Sequence, residues 1–333
     1  MNVMTIGGAT IDIVVEAGNG KSFEPGKKID AEKIAFCLGG GGINSSIVLN
    51  KLGGNITLCS AVGDDLEGSI LTSKLTSLGI DLSCVSVLSG DITGRSVITI
   101  SHNAEVSVVA QRGANLNFEG NSLPTTLKHQ LMYISATSRL VVERLSVMLE
   151  NGYADHSKIA FNPGFNQIKG GGKGLDYLCK KVDLVILNQI EAEQLLLTLG
   201  CKDVENAPLE SLGHRLIEHG LKATLVTGGS LGAYFTSPDD FWFQNSIPVE
   251  AASTLGAGDT FGSTFSYYYF SGQSVKMSAN LAAINAANTV GKTDANSGSL
   301  TEPELFKDLV TLNGSNSDSA RNALNESVCI DQT

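Results

Sequence analysis

The stretch Ser253-Thr254-Leu255-Gly256-Ala257-Gly258-Asp259 sets three small residues before a carboxylate, and a helical pattern follows. The first turn of a helix leaves N–H groups unpaired and carries the positive end of the helix dipole. With nothing larger than a methyl at Gly256, Ala257 and Gly258, an oxyanion has room to reach those N–H groups. Asp259 in the same turn is placed to take a proton from an attacking hydroxyl while the N–H groups hold a developing phosphoryl charge. The same residues also suit a plain helix start capped by Asp259, and residue chemistry alone leaves the two readings level.

Three other glycine-bearing segments compete as phosphate sites. Asn19–Ser22 (NGKS) ends like a phosphate-binding loop, but Val15 stands where that motif needs its first glycine. Gly170–Gly174 (GGGKG) also lacks the upstream glycine, and both are read as loops. The run Gly39-Gly40-Gly41-Gly42-Ile43-Asn44 precedes a helix, yet a G-x-G-x-x-G dinucleotide fingerprint finds Asn44 or Ser45 at its last position. A nicotinamide-dependent dehydrogenase thereby loses its main support. The glycines fit either a tight strand-to-helix turn or a ligand cradle, and Asn44 can donate to and accept from sugar hydroxyls.

The elements that must position these groups follow from apolar patterning. Strands are expected at Val3–Ile6, Ile11–Val15, Ile56–Val62, Leu131–Ser135, Lys158–Asn162, Leu184–Asn188 and Ala223–Thr227. Helices are expected from Ile43 to a stop at Gly53, at Ile190–Leu199, Leu209–His219, Ala257–Ser271 and Val275–Lys292, and after Asp64, with Leu66, Ile70, Leu71 and Leu78 on one face. A hairpin around His102-Asn103-Ala104, joined by the charged piece 16–33, is read as lying outside the main sheet, and a second is expected at 232–236 and 241–245. Alternating strands and helices imply a parallel sheet covered on both faces. The tail 313–333 reads as polar and flexible.

Composition narrows the function. The chain has 333 residues, 42% hydrophobic and 17% charged, with a formal charge of −11, which argues against nucleic acid and anionic membranes as partners. No apolar run reaches the ~18 residues of a span. The N-terminus lacks the basic flank and cleavage site of a signal peptide. The six cysteines form no CxxC pair and read as buried thiols, so a cytoplasmic protein is expected.

Taken together, the two main glycine segments resemble the PfkB (ribokinase-like) family of carbohydrate and nucleoside kinases. Gly41, Gly42, Asn44, Gly53 and Gly63 fit the spacing of its first signature, and 253–259 fits its second, D-T-x-G-A-G-D. Asp12 in GGATID, Asn188 and Glu191 in NQIE, and Thr227, Gly229 and Gly232 in VTGGSLGAY match further family elements in order. The resemblance implies a three-layer α/β/α fold with a mostly parallel central sheet and a small β lid. The core would comprise residues 1–12, 34–89 and 114–312. The lid, 13–33 and 90–113, would exclude water and pair subunits into a homodimer.

The resemblance also implies roles. Asp259 would be the base, with Gly256, Ala257 and Gly258 as the anion hole. Asp12, Gly41, Gly42 and Asn44 would hold the acceptor. Asn188, Thr227, Gly229 and Gly232 would line the ATP side, and Glu191 would hold Mg²⁺ through water. The expected activity is ATP-dependent phosphorylation of a small sugar, with a nucleoside kinase or a non-catalytic sugar or nucleoside sensor as alternatives. Ser253 replaces the aspartate that helps hold a monovalent cation in ribokinase-like members, which puts potassium activation in doubt. Gly41 stands where several relatives carry Lys, which favours an unphosphorylated acceptor. Arg95 and Arg112 in the lid read as solvated charges or as contacts to an acidic group. Tyr267–Phe270 reads as core, and His214 and His219 do not share a helix face.

Overall fold

The computed structural model describes residues 1–16, 26, 28, 30–100 and 106–314. The expected loop Asn19–Ser22, the turn His102-Asn103-Ala104, most of the charged piece 16–33, Cys329 and the tail beyond Gly314 lie outside the described residues. In chain order the first elements are β1 (Asn2–Ile6), β2 (Thr10–Glu16), β3 (Lys33–Gly39), α1 (Gly41–Lys51), β4 (Asn55–Gly63), α2 (Leu66–Ser77), β5 (Asp81–Leu88), β6 (Gly94–Ile100), β7 (Val106–Gln111) and α3 (Ala114–Asn117). There follow β8 (Leu131–Ile134), α4 (Arg139–Glu150), β9 (Lys158–Phe161), α5 (Phe165–Gly170), α6 (Lys173–Lys181), β10 (Leu184–Asn188), α7 (Gln189–Thr198) and α8 (Leu209–Glu218). The last are β11 (Thr224–Thr227), β12 (Ala233–Thr236), β13 (Phe241–Gln244), α9 (Ala257–Phe270), α10 (Val275–Val290) and α11 (Glu302–Gly314).

Among the described residues the strands form two sheets. The larger has nine strands in the order β13-β12-β11-β10-β9-β8-β1-β4-β5, parallel except at β12 and β13. Its inner strands alternate between two buried layers, as the pleat dictates. Val3, Tyr133 and Ile186 face one layer with Val48 of α1, Phe265 of α9 and Leu281 of α10. Met4, Met132, Ile134 and Val185 face the other with Leu145 of α4, Leu195 of α7 and Leu212 of α8. Both faces are covered, which is why these strands read as almost unbroken apolar runs.

The second sheet has the order β3-β2-β6-β7. It extends further than the sequence reading placed it. Residues 10–12 and 34–39, assigned above to the core, pair here, because β2 runs unbroken from Thr10 and its antiparallel register carries β3 through to Gly39. Other differences are local. The cap of α2 is Asp65, whose side chain accepts from Gly68 N, and not Asp64. Its inner face is Gly68, Leu71 and Leu75, while Leu66, Ile70 and Leu78 are exposed. Gly170–Gly174 is a turn between α5 and α6, with Lys173 and Gly174 inside the second helix. The edge strand β5 lacked a strong sequence signal. Tyr267 and Tyr268 are buried, as core residues. The described cysteines are free thiols, and no described helix is long and apolar enough to cross a membrane.

The start of α1 is set by close approach. A Cβ on Gly42 would stand 2.7 Å from both the carbonyl carbon and the oxygen of Gly7, at the end of β1. Gly42→Ala is expected to cost about 1–3 kcal/mol by overpacking, read as a lowered urea midpoint. An unchanged midpoint would show that the two backbones can part freely.

Candidate active site

The N-termini of α1 and α9 meet beyond the carboxyl end of β1, where open parallel sheets bind ligands. Asn44 Nδ2 donates to Asp259 Oδ2 at 2.7 Å. The Asn44 Oδ1 atom is buried and has no partner. Gly41 keeps the space beside them free, since a Cβ there would lie 3.6 Å from Asp259 Oδ1 and 2.9 Å from Ser135 Cβ. Gly42, matched to the same signature, serves the packing described above. Asp12 is 5% exposed on β2, accepts from Thr10 Oγ1 at 2.9 Å, and lies so close over Gly39 that any side chain there would overlap it. Burial pushes Asp259 above the ordinary carboxylate range; the Asn44 bond opposes this and the Asp12 charge adds to it. Burial likewise raises Asp12, against hydrogen bonds from Thr10 and Ser96.

Alongside lies a cleft of about 490 Å³. Asn188, Thr227, Gly229 and Gly232, at the ends of β10 and β11 and in the turn after them, form one side. Ala283, Ala286 and Ala287 of α10 also line the cleft, together with Ala257 and Gly258, which directly precede Asp259 in α9. Gly256 does not line the cleft. It adopts φ 74° as the N-cap of α9, and a Cβ there would lie 2.6 Å from Ala295 O. Its smallness therefore serves the turn and the contact behind it, while Gly258 has open space in front. A smaller hollow of about 300 Å³, near Asn2, Asp81 and His129, lies at the opposite ends of β1, β4 and β5 and holds none of the expected site residues.

Asn188 and Glu191 are first of all each other's caps. Asn188 Oδ1 accepts from Glu191 N, and Glu191 Oε2 accepts from Asn188 N, both at 2.9 Å, a capping box at the start of α7. Burial pushes Glu191 up to about 7; the Asn188 backbone bond opposes this and the Asp259 charge adds to it. Among the described residues no group of three or more His, Cys, Asp or Glu could hold a metal unaided. One under-compensated carboxylate, paired in the capping box with the cleft-lining Asn188, does fit Mg²⁺, which keeps most of its waters and leans on substrate phosphates. A monovalent cation fits poorly. Ser253 is fully buried, offers no carboxylate, and its Oγ already accepts from Leu255 N at 3.1 Å.

Several contributors escaped the sequence reading. Asn115 clamps Ala9 by accepting from its N–H and donating to its carbonyl, both at 2.8 Å, which fixes the bend between β1 and β2. Ser135 backs Gly41, and the Tyr133 hydroxyl is buried without a partner within the fields of Asp259 and Glu191. The alanine-rich stretch of α10 was the available signal for the cleft wall. Arg95 is already engaged by Asp65 (3.5 Å) and Glu67 (3.1 Å), and Arg112 is exposed.

The raised Glu191 has a sign that can be checked. Its proton is held in the folded state up to about pH 7 but released near 4.5 when unfolded. Its contribution to stability is thus full below the lower value and lost as pH rises through the upper one. Glu191→Gln keeps the capping box and should flatten this fall in the ligand-free protein, followed by urea unfolding across that window. An identical pH slope in both proteins would remove Glu191 as the cause.

The chain matches the pfkB family carbohydrate kinase over residues 1–302. It is 24% identical to the ribokinase of Haemophilus influenzae over 291 residues, covering 85% of this chain and 91% of that one. Its structure is similar to Burkholderia thailandensis nucleoside kinase in complex with inosine, with a TM-score of 0.79, 16% identity and coverage of 94% and 99%. It is also similar to Arabidopsis thaliana ribokinase complexed with ribose and ATP, with a TM-score of 0.72, 20% identity and coverage of 92% and 97%. The fold is the expected ribokinase-like α/β/α arrangement around a mostly parallel sheet, and the family match runs from β1 to the start of α11: the chain belongs to the pfkB family of carbohydrate kinases.

Proposed function

We propose that the protein transfers the γ-phosphoryl group of Mg-ATP to a hydroxyl of a small unphosphorylated sugar, with Asp259 as general base. The observation that carries this is the Asn44–Asp259 pair standing where α9 closes a nucleotide-sized cleft with Ala257 and Gly258. The acceptor hydroxyl gives its proton to Asp259, its oxygen bonds to the γ-phosphorus, and the bond from that phosphorus to the ADP oxygen breaks. The first-turn N–H groups of Ala257 and Gly258 hold the phosphoryl oxygens, and Asn188, Thr227, Gly229 and Gly232 hold the nucleotide. Mg²⁺ near Glu191 would neutralise phosphate charge. Asn44 Oδ1, buried and unpartnered, suits a hydroxyl donor. Asp12 and Asp259 make the acceptor end acidic, and Arg95 is paired with Asp65 and Glu67, so a neutral polyol suits it better than a sugar phosphate.

The second sheet serves as a lid over this end, excluding water from the transfer. Its outer side supports a homodimer. Phe36, Ile13, Val97 and Val109 are successive cross-strand neighbours, and Phe36 and Val109 are 68% and 75% exposed. An apolar row of this kind marks an interaction surface, and a second copy would cover it with its own. Free thiols at the described cysteines fit a cytoplasmic location.

Asp259→Asn should retain ATP and sugar binding and lose turnover by about 10²–10⁴; near-normal turnover would sink Asp259 as base. A screen of ADP release over pentoses, hexoses and nucleosides assigns the acceptor. Turnover of nucleosides alone would make it a nucleoside kinase, and tight sugar binding with no turnover of anything would make it a sensor. Val109→Asp should convert a dimer into a monomer in light scattering, and a monomeric wild type would refute the dimer.

A further inference from the structure

The last residue of α1 does not serve its own helix. Lys51 Nζ donates to Asn296 O at 3.0 Å, to Ser299 O at 2.7 Å and to Ser299 Oγ at 3.0 Å. All three acceptors belong to the segment between α10 and α11. An ammonium has three protons to give, and here each has a partner.

That segment is tied on every side. Asp294 Oδ1 accepts from Asn296 N and Ser297 N at 2.9 and 2.7 Å. Asn296 Nδ2 donates to Leu38 O of β3 at 2.7 Å. Asn285 Oδ1 of α10 accepts from Leu300 N at 2.8 Å, while its Nδ2 donates to Thr264 Oγ1 of α9 at 2.9 Å. At its centre Ala295, 1% exposed, lies directly behind Gly256. Movement of Ala295 therefore moves the residue that turns the chain into Ala257 and Gly258.

Lys51 also brings a positive charge to the segment whose Ala295 packs behind Gly256. Two backbone carbonyls, Asn296 O and Ser299 O, converge on that charge, which offsets their mutual repulsion. Ser253 brings no carboxylate with which to retain a free ion, and its hydroxyl is already committed. A tethered ammonium needs no such ligand, because α1 delivers it.

We propose that Lys51 is a positioning residue for the phosphoryl end of the site: its ammonium clamps residues 296–299 behind Gly256 and makes the anion site independent of added potassium. The proposal rests on the kinase reading above, and its test uses binding so that the two can fail separately. Calorimetry would measure the β,γ-imido analogue of ATP and, as a control for the adenosine end of the cleft, AMP.

Wild type should bind the analogue equally, within about two-fold, in potassium chloride and in tetramethylammonium chloride at the same ionic strength. Lys51→Met should lose about ten-fold in affinity for the analogue while binding AMP as wild type does. Lys51→Arg should recover most of the loss. An analogue affinity unchanged in Lys51→Met, or AMP affinity lost by the same factor, would overturn the clamp. Wild-type binding that depends on potassium would overturn it without recourse to any variant. Wild type that binds neither nucleotide would instead refute the kinase reading.

Discussion

The hydrogen bond between Asn44 and Asp259 joins residues 215 positions apart, and the architecture around it is arranged to let that bond exist. Two helices have to begin at the same point over the end of β1. Their positive ends repel one another unless something negative lies between them. Asp259 supplies part of that charge, and Asn44 fixes its orientation. For α1 to come so near, Gly42 and Gly7 must do without side chains, and for the space in front of the carboxylate to stay open, Gly41 must do so too. Glycine at these points meets steric requirements of the approach.

The same convergence places negative charge where it is costly. Asp12, Asp259 and Glu191 are each pushed upward first of all by burial, and Asp259 is raised further by Asp12 and Glu191 by Asp259. A chain that already carries a net charge of −11 thus concentrates carboxylates in a water-poor corner. Local consistency is given up there, and each of these carboxyls holds its proton more tightly than an ordinary one.

What was legible in the sequence was whatever chemistry imposes on residue type. Asp259 behind Gly256–Gly258 and Asn44 behind Gly39–Gly42 stand out because small residues gathered before a helix start mark a close approach, whether of another backbone or of a ligand. The sheet was legible because strands covered on both faces must be apolar throughout. Legibility failed where one residue answers to two demands, or where main chain replaces side chain. Asn188 and Glu191 carry a family motif and a helix cap at once. The face of α2 was misread because a glycine, not a leucine, occupies its inner row. The second sheet was cut short because β3 continues to Gly39 under a register that only pairing reveals. Asp65 and Glu67, which hold Arg95, are some thirty positions from it, and no local pattern announces them.

The alanines of α10 carry a different lesson. They bring methyl groups and little polarity to the cleft, so on the proposed reading discrimination among nucleotides at that end would be a question of volume. On the proposed reading the acceptor would be met on other elements, β2 and α1, which carry Asp12 and Asn44, and the transfer on α9, which carries Asp259. Residues that would choose one ligand are thus carried on different segments from those that would choose the other, and neither set includes Asp259. A lineage built on such a plan could drift in what it phosphorylates, or in which triphosphate it spends, by single changes of side-chain bulk on β2 or on α10, while Asp259 and its helix descend unaltered.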